Sequence, residues 1–151
     1  MAHARQTTPL IAIDSVVIDI ETTGLDPQTA RVVELASVRL IGGRLDETEA
    51  FCRLINPGGP IPAAATDIHG IDDAAVAIAP TFAAVWLEFS RTLNDAILIG
   101  HTVGFDLAVL KRECERAGFA WMQPPTLDHG CSPKSLSRRL PIIRSKASPL
   151  G

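Results

Sequence analysis

Asp19 and Glu21 stand two residues apart at the end of a β-branched apolar run, Val16 to Ile20. Such a run reads as a buried strand. Side chains i and i+2 of a strand share a face, so the two carboxylates project together. Adjacent acids repel, and burial adds to the cost of their charge. A divalent cation relieves both, and hard oxygen ligands suit Mg²⁺ or Mn²⁺. On spacing alone, an ordinary strand end with solvated acids is an equal reading, because Asp-x-Glu is a short pattern. Thr22, Thr23 and Gly24 follow directly. Their hydroxyls, N–H groups and flexible glycine suit contact with a phosphate or sugar. A plain turn, with the threonines as strand and capping residues, is the alternative. The second acid-bearing segment is Gly100-His101-Thr102-Val103-Gly104-Phe105-Asp106. Asp106 falls at the start of a helix, where a carboxylate serves as a cap. If the preceding strand lies beside the first, Asp106 joins Asp19 and Glu21, and three convergent acids imply a metal site.

The elements that must position these residues follow from pattern. After the first strand, Gly24, Asp26 and Pro27 make a turn. Arg31 to Leu40 reads as a second strand, Gly42–Gly43 as a turn, and Ala50 to Ile55 as a third strand. Short turns between three strands predict an antiparallel meander. A loop with Pro60 and Pro62 leads to Ile68-His69-Gly70-Ile71. Phe82, Val85, Trp86 and Phe89 recur at spacings of three and four, which predicts a helix over 81–93. Ala96 to Ile99 reads as a short strand. Leu107, Leu110, Cys114 and Ala117 form the stripe of a helix over 105–117, stopped by Gly118. The order β-β-β-α-β-α is an α/β layout with a mixed sheet and flanking helices.

The chain has 151 residues, enough for one domain with a real core. Its 46% hydrophobic and 21% charged content is that of a globular protein. Three scattered cysteines, with no Cys-x-x-Cys pair, read as free thiols in a reducing compartment, and a cytoplasmic location is expected. No signal peptide is read, and no run of 18 apolar residues spans a membrane. Net charge is −3, unevenly spread. Beyond Asp128 there are five basic residues and no acid, which leaves 9 basic and 17 acidic residues in 1–128. So acidic a body argues against tight, non-specific duplex binding. It is compatible with an enzyme that holds nucleic acid through cations.

In residues 10–128 the chain resembles the DEDD exonuclease superfamily, in the branch like the proofreading epsilon subunit of bacterial DNA polymerase III. Asp-Ile-Glu-Thr-Thr-Gly-Leu-Asp-Pro at 19–27 looks like that family's first motif, and Gly-His-Thr-Val-Gly-Phe-Asp at 100–106 like its second. Ile-His-Gly-Ile at 68–71 matches a segment common between them. Thr102 departs from the Asn usual there. The resemblance implies an RNase H-like fold. It also implies 3′–5′ release of 5′-mononucleotides from a single-stranded or frayed 3′ end of DNA, or RNA, with a DNA polymerase as the expected partner. By it, Asp19, Glu21 and Asp106 ligate two cations about 4 Å apart that activate water and stabilise the leaving oxygen. Thr22, Thr23 and Gly24 hold the terminal nucleotide, and Leu25 wedges against its base. His69 and Phe105 are further substrate contacts; a backbone-bonded loop histidine and a core phenylalanine are their alternatives.

The family's third motif supplies a general base and a fourth acid, as His-x-Ala-x-x-Asp or Tyr-x-x-x-Asp. The chain has no tyrosine, which leaves the His-bearing (DEDDh) branch. After Asp128 it has one histidine, His129, and no acid. Without a base the attacking water lacks a proton acceptor. The domain is therefore expected to be incomplete at its C-terminal end. Residues 129–151 are read as a basic tail, either disordered or produced by a frameshift. Back-translation of 128–151 one base out of frame permits a run containing Asp-His-Ser-Leu-Glu, which the family carries. The expectation is a weak or inactive copy, with a non-catalytic module binding nucleic acid or a partner as the alternative. An aspartyl phosphatase is disfavoured, since it wants Asp at the second motif position and a downstream lysine.

Overall fold

The computed structural model describes residues 14–93 and 96–128. Residues 10–13 at the expected domain start, and the tail 129–151, lie outside the described residues.

Strand β1 (Ser15–Thr22) pairs antiparallel with β2 (Val32–Ile41), and β2 antiparallel with β3 (Arg44–Leu54). This is the expected meander. Short helices α1 (Ala63–His69) and α2 (Asp73–Val76) come next, then α3 (Phe82–Leu93). Strand β4 (Ile97–Gly100) pairs parallel with β1, as the three-acid reading required. Helix α4 (Val103–Ala117) leads to β5 (Thr126–Asp128), parallel to β4. The sheet order β3-β2-β1-β4-β5 is mixed, with helices flanking it.

Several elements differ from the sequence expectations; α2 has no counterpart among them, and α4 begins at Val103 rather than at 105. β1 runs on through Thr22, because β2 follows it to the Thr22–Val32 pair, so both carboxylates lie within the strand. β3 begins at Arg44, directly after the Gly42–Gly43 turn; its first half is a polar, exposed edge with no apolar alternation to reveal it. Helix α1 replaces the loop expected around Pro62, because Pro62 stands at the N-cap, where proline disrupts nothing, and an alanine run follows. β5 was missed because three residues after Pro124–Pro125 carry no periodic signal.

Burial follows the two periodicities. Val16, Ile18 and Ile20 face a core built with Phe82, Val85, Trp86 and Phe89 of α3 and Leu107, Leu110 and Cys114 of α4. Each such side chain contributes on the order of 1.5–3 kcal/mol. Burial pushes the Cys114 thiol up to about 12, so it behaves as a small apolar residue. Ala117, the expected end of that stripe, is exposed. A second cluster joins Val33 to Ile61, Ala65, Ile71 and Val76, and so seats α1 and α2. Among the described residues, no helix is long and apolar enough to cross a membrane.

Candidate active site

β1 alternates strictly across the carboxylate pair. Ile18 and Ile20 enter the core, and Asp19 and Glu21 take the opposite face. Glu34 of β2 sits directly opposite Glu21 in the antiparallel register. Burial pushes the Glu21 carboxyl above its ordinary value, and the charges of Asp19 and Glu34 push it the same way, while His69 opposes them. Asp19 keeps contact with solvent, yet the protein around its carboxyl also raises it; the Ile20 N–H and His101 pull it back. Among the described residues, no ion pair uses either acid. Glu34 was not foreseen, because its place depends on the register of β2.

Asp106 is buried in the first turn of α4. It is not the helix cap: that position belongs to Thr102, whose side chain makes no capping bond. The β4–α4 junction brings α4 close to β1. A Cβ on Gly100 would meet the Ile18 carbonyl oxygen at 3.2 Å and Val103 Cγ2 at 3.0 Å. Thr102 takes φ 57° and ψ 37°, the left-handed region that β-branched residues rarely enter and asparagine tolerates.

Glu21, Thr22, Thr23, Gly24, Leu25 and His69 line one cleft of about 310 Å³ with Pro62, Ala64, Ala65 and Ile68 of the α1 segment. The two sides carry exposed apolar side chains, Leu25 at 83% and Ile68 at 76%. Five of the six expected substrate residues therefore line one cleft. Phe105 does not line it; it packs against the main core. The α1 wall leaves no helical period in the sequence, although Ile68 belongs to the Ile68-His69-Gly70-Ile71 segment. Thr22 Oγ1 donates to the Gly24 carbonyl at 2.7 Å, and the Thr23 hydroxyl accepts from Arg31 N–H at 2.9 Å. His69 Nδ1 accepts from the Ile71 N–H at 3.1 Å. A neutral ring so bonded carries its proton on Nε2, which is buried and has no partner among the described residues. His69 is thus a donor rather than a proton acceptor.

A divalent cation suits this donor set. The two carboxylates share a face, their charge is penalised by burial, Glu21 is further opposed by the charge of Asp19, and among the described residues no ion pair offsets them. Among the described residues, however, no three His, Cys, Asp or Glu side chains are grouped to hold a metal. Asp19, Glu21 and Asp106 do not form a closed three-ligand cage in this conformation.

The sequence profile of the exonuclease family (RNase T type) matches residues 16–145. The chain belongs to this family. A DNA polymerase III subunit epsilon-like protein of Rhodobacter capsulatus is 46% identical over 111 residues, 73% of this chain and 16% of that protein. The DNA polymerase III subunit epsilon of Aquifex aeolicus is 38% identical over 97 residues, 64% of this chain and 47% of its own length. The chain thus spans a minor part of these relatives. Escherichia coli exonuclease I, solved as a zinc-bound complex with single-stranded DNA, superposes with a TM-score of 0.67 at 19% identity, covering 77% of this chain and 28% of that one. The fold is the RNase H-like exonuclease fold.

Proposed function

We propose that this chain is a divalent-cation-dependent 3′–5′ exonuclease domain of the DEDDh type, acting on single-stranded or frayed 3′ ends of DNA. The observation that carries the reading is the cleft of Glu21, Thr22, Thr23, Gly24, Leu25 and His69, with Asp19 two residues before Glu21 on the same strand face. Asp19 and Glu21 anchor the metal, and Asp106 completes the ligand set. Bound there, Mg²⁺ or Mn²⁺ supplies an activated water and charge stabilisation at the leaving oxygen. The chain's own residues do the rest. Leu25 and Ile68 offer apolar faces to a base, Thr22 and Thr23 hold the backbone that meets the sugar, and the His69 ring closes the cleft beside them. A polymerase is the partner this reading favours, by analogy with the epsilon relatives.

Turnover by these 151 residues is low under the same proposal. Nothing after Asp128 supplies the family's base and fourth acid, and His69 is held as a donor. The test uses the full chain with Mn²⁺ and a 5′-labelled single-stranded oligonucleotide. A ladder shortening from the 3′ end is expected, lowered by Asp19→Ala at least about a hundredfold. Cleavage untouched by Asp19→Ala refutes the assignment. A second reading, a non-catalytic nucleic-acid-binding module, is favoured by the ungrouped acids. Metal-dependent binding without shortening selects it.

A further inference from the structure

Leu25 stands at the tip of the loop between β1 and β2 and is 83% exposed, so packing does not fix it. Polar contacts behind the loop do. Glu113 of α4 is 2% exposed, and its Oε1 accepts from Arg31 Nε at 2.5 Å, from the Val32 N–H at 3.4 Å and from Arg116 at 3.4 Å. Arg116 also donates to the Ala30 carbonyl at 2.9 Å and to the Gln28 carbonyl at 2.7 Å. Arg31 in turn exchanges two hydrogen bonds with Thr23, its N–H to the Thr23 hydroxyl and its carbonyl from the Thr23 N–H, each 2.9 Å. A buried carboxylate between two guanidiniums thus reaches the cleft wall in two steps.

We propose that Glu113 is a positioning residue which, with Arg31 and Arg116, clamps loop 24–31 and so sets the width and affinity of the cleft for a terminal nucleotide, the ligand class taken from the function proposed above. The clamp makes no contact with the metal-anchoring acids and meets the cleft lining only through the backbone of Arg31 at Thr23. It acts through the backbone of residues 28–31, two carbonyls of which are held by one guanidinium fork. A carboxylate so buried is kept only where its hydrogen bonds are filled, and the three donors fill one oxygen.

The test compares the full chain with Glu113→Gln, which keeps the shape of the side chain, and with Arg116→Gln, whose half-exposed site tolerates the change. Amide hydrogen exchange and binding of thymidine 5′-monophosphate with Mn²⁺ are read for each. Both variants are expected to speed exchange in residues 24–31 about tenfold while the paired residues 33–40 of β2 keep wild-type protection. Both should raise the dissociation constant for the nucleotide about tenfold. Unchanged exchange in the loop overturns the clamp. An equal rise across β1 and β2 also overturns it, since Glu113 would then only stabilise the domain. Loosened loops with wild-type affinity overturn its link to the cleft. Should the wild type itself not bind the nucleotide, the functional reading of the cleft and the clamp's link to it both fail, and the exchange pattern alone decides whether the clamp exists.

Discussion

At the scale of single residues, the Asp19–Glu21 pair carries an electrostatic cost that can be measured. Burial raises both carboxyls above their ordinary values of 3.8 and 4.5. A raised acid keeps its proton in the folded chain after the unfolded chain has lost it. Stability therefore falls as pH rises from the ordinary values through the folded ones, and the whole penalty is present at neutral pH. Replacing the pair, as Asp19→Asn with Glu21→Gln, should raise Tm by about 2–5 °C near neutral pH in EDTA. At about pH 3, below both ordinary values, that gain should vanish. Thermal melts at the two pH values check this, and an equal gain at both would show that charge is not the cause.

Among elements, the β4–α4 junction decides how near α4 comes to β1. Gly100 allows the approach, because a methyl group there would crowd the Ile18 carbonyl and Val103. Gly100→Ala should cost about 1–3 kcal/mol, read as a lowered Tm. Thr102 makes an opposite prediction two residues on. Its left-handed backbone stores on the order of 1 kcal/mol that asparagine would not. Thr102→Asn should therefore raise Tm by about 2–5 °C. A fall in Tm for Thr102→Asn would mean that the threonine side chain earns its place by contacts of its own.

For the molecule as a whole, charge sets the terms of binding. Residues 1–128 hold 17 acidic and 9 basic side chains, a poor surface for phosphates without added cations. Chelation by EDTA should weaken single-stranded oligonucleotide binding at least about tenfold, and Mn²⁺ should restore it. Gel retention at fixed ionic strength measures both. Equal retention with and without the metal would place binding on side-chain cations rather than on Asp19 and Glu21.

Whatever depends on local period is legible in the order of the residues. A strand's period of two puts Asp19 and Glu21 on one face, the helical stripes of α3 and α4 find the core, and Gly118 ends α4. That order also makes contiguous the cleft wall from Glu21 to Leu25. Whatever depends on register and on contacts distant in sequence comes from the packing of the folded chain. Glu34 meets Glu21 because an antiparallel register places it there. Ile68 lines the same cleft as Leu25 because the second core cluster seats α1 against the sheet. Glu113 reaches Arg31 across 82 positions. None of these pairings leaves a local signature, because each is fixed by the packing of whole elements rather than by the conformational preference of neighbouring residues.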